Sequence, residues 1–131
     1  MPQIDPLVPL RAFCIVLFLL ALKHFVADFV LQTHWIAHGK ERSEGWLAPL
    51  AIHALGHASL TLCIALAVAP WLWWLALVDF IVHASIDRGK TIIAHRAGWG
   101  VEEAGFWWLL GSDQFMHQVT NVGIAAALFA F

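Results

Sequence analysis

Four long stretches of the chain are almost wholly apolar, and within each the few polar residues recur at a spacing of four. The stretches run over about 8–32, 46–69, 70–87 and 105–131. Each is close to the roughly 20 residues that carry a helix across about 30 Å of hydrocarbon. Pro70 separates the second from the third and leaves almost no loop, which predicts an antiparallel hairpin. Polar connections fall at G-K-E-R-S-E-G, 39–45, and at R-G-K-T-I-I-A-H-R, 88–96. The pattern predicts an all-α fold: a single polytopic membrane domain over 1–131, built as an antiparallel four-helix bundle.

Composition agrees with this reading. Of 131 residues, 61% are hydrophobic and 12% charged, against about 45–50% and about 25% in soluble domains. A water-soluble chain of this length has too little interior to hide so much apolar surface, whereas lipid requires no hiding. Eight Trp and no Tyr suit a protein whose indoles sit at membrane interfaces, with W-L-W-W at 71–74 on one side and Trp107 and Trp108 on the other. A net charge of −2 and the lack of a basic stripe exclude nucleic acid as a partner. Cys14 and Cys63 are isolated within apolar runs and read as small hydrophobes. The first residues carry an acid and prolines instead of a basic n-region, so the first apolar stretch is expected to remain as a helix. Lys40, Arg42, Arg88, Lys90 and Arg96 all fall in the two polar connections, with Arg11 opposite. The positive-inside rule then places those connections in the cytoplasm and both termini outside it.

The polar residues inside the stretches carry the chemistry. They are His24/Asp28, His53/His57, Asp79/His83/Asp87 and Asp113/His117. A helix puts residues four apart on one face, their Cβ atoms about 5–6 Å apart. A stripe of this kind cannot face lipid, where an Asp near the centre costs about 2.5–3.5 kcal/mol, so the stripes must turn inward and meet. Depth agrees. The pairs come late in the first and third stretches and early in the second and fourth, so alternating helices bring them to the half nearer the basic connections. Asp79 reaches deepest.

Imidazole and carboxylate in one dry pocket suit a divalent transition metal, zinc first and iron or manganese next. The ligand set is His24, Asp28, His53, His57, His83, Asp87, Asp113 and His117. With Asp79 these exceed one ion's need, so two ions, or one ion with outer carboxylates orienting the histidines, would use them. A buried cation would also let several aspartates stay ionised together. A polar packing network and a proton path are the competing readings of such residues. Haem would use two histidines and leave the aspartates without a role. His34 and His38 lie beyond the apolar stretch and read as an interfacial turn, and His95 as solvated.

The runs H-F-V-A-D-F-V-L-Q, H-A-L-G-H, H-A-S-I-D-R-G-K and D-Q-F-M-H together resemble a family of small bacterial integral membrane proteins known only as a domain of unknown function. The family's motifs are matched at His24, Asp28, Gln32, His53, His57, His83, Asp87, Lys90, Asp113, Gln114 and His117. His34 departs from them, standing where the family more often has an acid. The resemblance spans nearly the whole chain. It implies a bacterial inner-membrane location and groups these residues as one site, and it brings no activity with it.

Three functions compete. The first is a metal-dependent hydrolase acting on a lipid or other anionic substrate at the cytoplasmic side, with Asp87 and Asp79 as catalytic carboxylates and Arg88 and Lys90 holding the substrate. The second is a metal- or proton-binding or transport module. The third is a small accessory subunit of a larger membrane complex, or a homo-oligomer, in which the polar core only specifies the bundle. G-x-S-x-G, H-E-x-x-H and the E-x-x-H of di-iron bundles are all absent from the sequence.

Overall fold

Apolar faces at helical spacing make most of the described residues helical. The computed structural model describes residues 9–131, so Val8, at the start of the first expected stretch, lies outside it. The helices are α1 (Leu10–Phe25), α2 (His34–Gly39), α3 (Leu47–Val68), α4 (Leu75–Ala97) and α5 (Ala104–Ala130), and no strand occurs among the described residues. The four long helices close a ring in which α1 packs on α3 and α5, and α4 packs on α3 and α5. At one end the 3₁₀ turn Pro70–Leu72 makes the tight hairpin, and the Trp71 indole donates to the carbonyl of Phe131 over 3.3 Å. At the other end lie α2 and the short connections.

Two boundaries differ from the sequence expectation, each for a local reason. The first apolar stretch is not one α-helix. After Phe25 it continues as a single π turn, Val26–Val30, closed by the Leu31 N–H on the Val26 carbonyl at 2.9 Å. Such a turn adds a residue to the helical register, and it often marks functional sites. Here it carries Asp28. The polar segment 88–96 is helical as well, because α4 runs on to Ala97. It stops where Gly98 takes the left-handed conformation, φ 63°, that a side chain would resist.

The interior has two layers. At the hairpin end Val16, Leu20, Ala65, Ala69, Leu72, Leu75, Ile124, Ala125 and Leu128 form a dry apolar core. Beyond it lies a buried polar layer of Lys23, His24, His53, His57, Thr61, Asp79, His83, Asp87, Asp113, His117 and Asn121, with small apolar residues such as Ala27, Ala54 and Ala58 buried among the same helices. The outer faces are the reverse, with Phe18, Leu55, Leu66, Leu77, Ile81, Phe115 and Val119 exposed. Leu10–Val30 and Leu47–Val68 are each long and apolar enough to cross a membrane.

Candidate metal centre

Each long helix delivers its polar stripe to one point. From α1 come His24 and, on the π turn, Asp28. From α3 come His53 and His57, from α4 His83 and Asp87, and from α5 Asp113 and His117. The rings stack in a row, His57 on His83 at 3.7 Å between centroids and His83 on His117 at 4.1 Å. Their Nε2 atoms turn toward the carboxylates. His57 Nε2 is 2.9 Å and His53 Nε2 3.3 Å from Asp28 Oδ1. His117 Nε2 is 3.0 Å from Asp87 Oδ1 and 3.5 Å from Asp113 Oδ1. His53 and His83 meet Nε2 to Nε2 at 3.3 Å. His24 Nε2 lies 3.1 Å from Asp28 Oδ2 and 3.0 Å from Gln114 Oε1.

These spacings can be tested against an ion. Zinc bonds of about 2.0–2.1 Å in a tetrahedron give ligand–ligand edges of about 3.3 Å. The N–O and N–N separations above straddle that value. Two sets of donor atoms lie mutually within 4.8 Å, Asp28/His53/His57/His83 and His83/Asp87/His117. His83 belongs to both. Two buried atoms in the cluster, Asp113 Oδ1 and His57 Nδ1, have no hydrogen-bond partner. The donor set therefore fits one ion, or two neighbouring ions.

The structure also separates residues that the sequence grouped. Asp79, read as a catalytic carboxylate, stands apart with Lys23 and Thr61. The Lys23 ammonium donates to Asp79 Oδ2 at 2.8 Å and to Thr61 Oγ1 at 3.1 Å, and the Thr61 hydroxyl donates to the same carboxylate oxygen at 2.6 Å. Arg88, read as substrate-binding, lies over the Trp46 ring at 4.1 Å and donates to the Arg42 carbonyl at 3.0 Å. Lys90, its companion in that reading, does line a cavity over the cluster. His34 and His38 are exposed.

Lys40 is the residue that sequence reasoning missed. It is buried, and its ammonium donates to Asp87 Oδ2 at 2.7 Å. The short helix α2 puts it there. Thr33 caps α2 by accepting from the Ile36 N–H, and Gly39 lies so close to Pro49 that a Cβ would stand 2.5 Å from its Cγ. Lys23, Thr61 and Asn121 were also missed, although a signal existed. Thr61 and Asn121 extend the spacing of four beyond His57 and His117, and Lys23 is a charge inside an apolar run.

Gly39→Ala is expected to push α2 off α3, draw Lys40 from Asp87 and cost about 1–3 kcal/mol. Gly56, with nothing within 4 Å of its would-be Cβ, supplies the control. Thermal unfolding followed by Trp fluorescence should show Gly39→Ala melting well below Gly56→Ala. Equal melting temperatures would contradict the contact.

A cavity of about 280 Å³ opens over the cluster at the α2 end, with Asp28, Gln32, Lys40, Glu41, Asp87, Lys90, Asp113 and Gln114 among its walls. The chain thus has a His/Asp centre at the floor of a vestibule flanked by two lysines. Compared with known proteins, residues 16–130 match the family described as "Protein of unknown function (DUF3307)". The chain belongs to this family. No curated protein and no solved structure matches it. An uncharacterised family is what the sequence motifs led us to expect, and DUF3307 membership leaves the chemistry to the site.

Proposed function

We propose that the protein is a four-span membrane enzyme whose His/Asp centre holds one or two divalent transition-metal ions, zinc first, and hydrolyses a phosphoester at the basic face of the membrane. The observation that carries this reading is the convergence of His24, His53, His57, His83 and His117 on Asp28, Asp87 and Asp113 beneath a vestibule flanked by Lys40 and Lys90.

Exposed apolar side chains on α4 and α5, as on α1 and α3, support four crossings: Leu77, Ile81, Phe115 and Val119 have no place in water as a continuous belt. Exposed Trp71, Trp73 and Trp74 at one end, with Trp107 and Trp108 at the other, suit two interfaces. The basic connections would then lie in the cytoplasm of a bacterial cell and both termini outside it.

The apolar core favours an enzyme over a transporter. Val16, Leu20, Ala65, Leu72, Ile124 and Leu128 fill the half of the bundle beyond the centre, so access is from one side, whereas a transport path needs two. The Asp28/His53/His57/His83 and His83/Asp87/His117 sets would hold the ion, which would supply Lewis-acid chemistry, lowering the pKa of a water toward about 7 and polarising the phosphoryl group. Asp113, whose Oδ1 accepts no hydrogen bond and lies 3.5 Å from His117 Nε2, would accept a proton of that water. The water oxygen would bond to phosphorus, the P–O bond to the alcohol would break, and the leaving oxygen would take up the proton that Asp113 received. Asp87, between Lys40, His53 and His117, serves as ligand. Asp79, held by Lys23, serves the fold.

The test is hydrolysis of p-nitrophenyl phosphate by purified protein loaded with zinc, manganese or iron(II), with metal content measured on the same samples. We expect metal-dependent turnover that Asp113→Asn lowers by about 10²–10⁴-fold while keeping its metal. Folded wild-type protein that binds no metal, or an Asp113→Asn variant as fast as wild type, would overturn the proposal.

A further inference from the structure

Lys90 and Glu41 line two cavities at once. One is the polar vestibule over the His/Asp centre. The other, about 240 Å³, is a groove between α4 and α5 with Ala94, Phe106, Leu109 and Leu110 in its walls. The vestibule presents two ammonium groups, Lys40 paired with Asp87 and Lys90 with Glu41, beside the carboxylates of Asp28 and Asp113 that an ion would neutralise. The groove is mostly apolar. The wall between them is light. Lys90 and Glu41 pair at 3.4 Å with Glu41 half exposed, and a pair of that kind contributes only about 0–1 kcal/mol. A ligand that displaced Glu41 from Lys90 would occupy both spaces.

We infer that the natural substrate is amphipathic: a phosphate monoester headgroup in the vestibule, carried on a hydrocarbon chain that lies in the α4–α5 groove. This rests on the metal-centre reading above and narrows it to a substrate class. Two lysines close to the proposed ion suit the three acceptor oxygens of a phosphate monoester. The groove takes the chain because it begins at the residue that would hold the head. Arg88, on the outer face of α4 against Trp46, takes no part in binding.

Ethyl, hexyl and decyl phosphate serve as probes, with decanol as the uncharged control. Equilibrium binding in detergent is measured by calorimetry on metal-loaded protein in the Asp113→Asn background, which keeps its metal and turns the probes over too slowly to disturb the equilibrium. Detergent takes up the chains equally for every variant, so the decyl-to-ethyl affinity ratio is compared between proteins. Each methylene held by the groove contributes about fourfold. Ala94→Trp, which fills the groove, is expected to lower the decyl-to-ethyl ratio at least tenfold and leave ethyl phosphate binding and metal content unchanged. Leu110→Gln, a smaller disturbance, should move the ratio in the same direction if the larger variant does not fold. Lys90→Ala should weaken all three phosphates alike. A decyl-to-ethyl ratio unchanged in both groove variants, or decanol binding as tightly as decyl phosphate, overturns the inference. Failure of the metal reading shows separately, as metal-free wild-type protein. On that protein the groove is still read with decanol, whose affinity Ala94→Trp should lower, because the groove does not need the ion.

Discussion

His83→Ala is expected to empty the centre of metal, taking a stoichiometric protein to less than about one-tenth occupancy. His83 is the member shared by both sets of donors. Its Nε2 stands 3.3 Å from that of His53 and 3.9 Å from Asp87 Oδ2, and its ring is held between those of His57 and His117. Removing it deletes a ligand from each set and frees the two flanking rings to turn. His24→Ala makes the informative contrast. His24 is in neither set, and its Nε2 contacts Gln114 and Asp28, so it orients a ligand instead of completing the sphere. Losing such a partner weakens metal binding by about 10–100-fold, which leaves ions bound when metal is in excess. Elemental analysis of purified proteins across a metal titration separates the two. Wild-type metal content in folded His83→Ala would refute the shared role.

Lys23→Met is expected to destabilise the protein strongly, costing about 3–5 kcal/mol. Lys23 and Asp79 are both only 2% exposed at the side chain. Their pair, with Thr61, lies where the polar layer meets the apolar core. Methionine leaves the Asp79 carboxylate buried without its counter-charge, retaining only the Thr61 hydroxyl. The double variant Lys23→Met/Asp79→Leu removes both charges and replaces them with apolar side chains of similar shape. Exchanges of that kind range from neutral to stabilising by about 1–4 kcal/mol, so the double variant should recover the loss. Unfolding in mixed micelles, followed by Trp fluorescence, measures both. If Lys23→Met is as stable as wild type, or if the double variant is weaker than the single, the pair does not hold the bundle as described.

How much of this was visible beforehand follows from periodicity. His53 and His57, or Asp113 and His117, can occupy only one face of a helix, and an apolar surround forces that face inward. Their meeting at a common depth was therefore readable from spacing and chain direction alone. Lys40 was not, since its approach to Asp87 depends on a six-residue helix seated by the contact of Gly39 with Pro49. No periodic pattern records a contact between glycine and a proline ten residues away. Arg88 and Lys90 are two apart, and on a helix that separation sends them to different faces. Once α4 is seen to continue to Ala97, Arg88 goes to Trp46 and Lys90 to the vestibule.

The local pattern of residues was enough to settle the four long helices in outline, their polar faces and the grouping of histidines with aspartates, because helical geometry acts over four residues and lipid or water acts on every residue alike. Packing in three dimensions was needed to divide the acids between two roles, giving Asp79 to Lys23 and Asp87 to Lys40 and the imidazoles. Carboxylates on one stripe are equivalent until a partner from a distant part of the chain comes within about 3 Å of one and not the other.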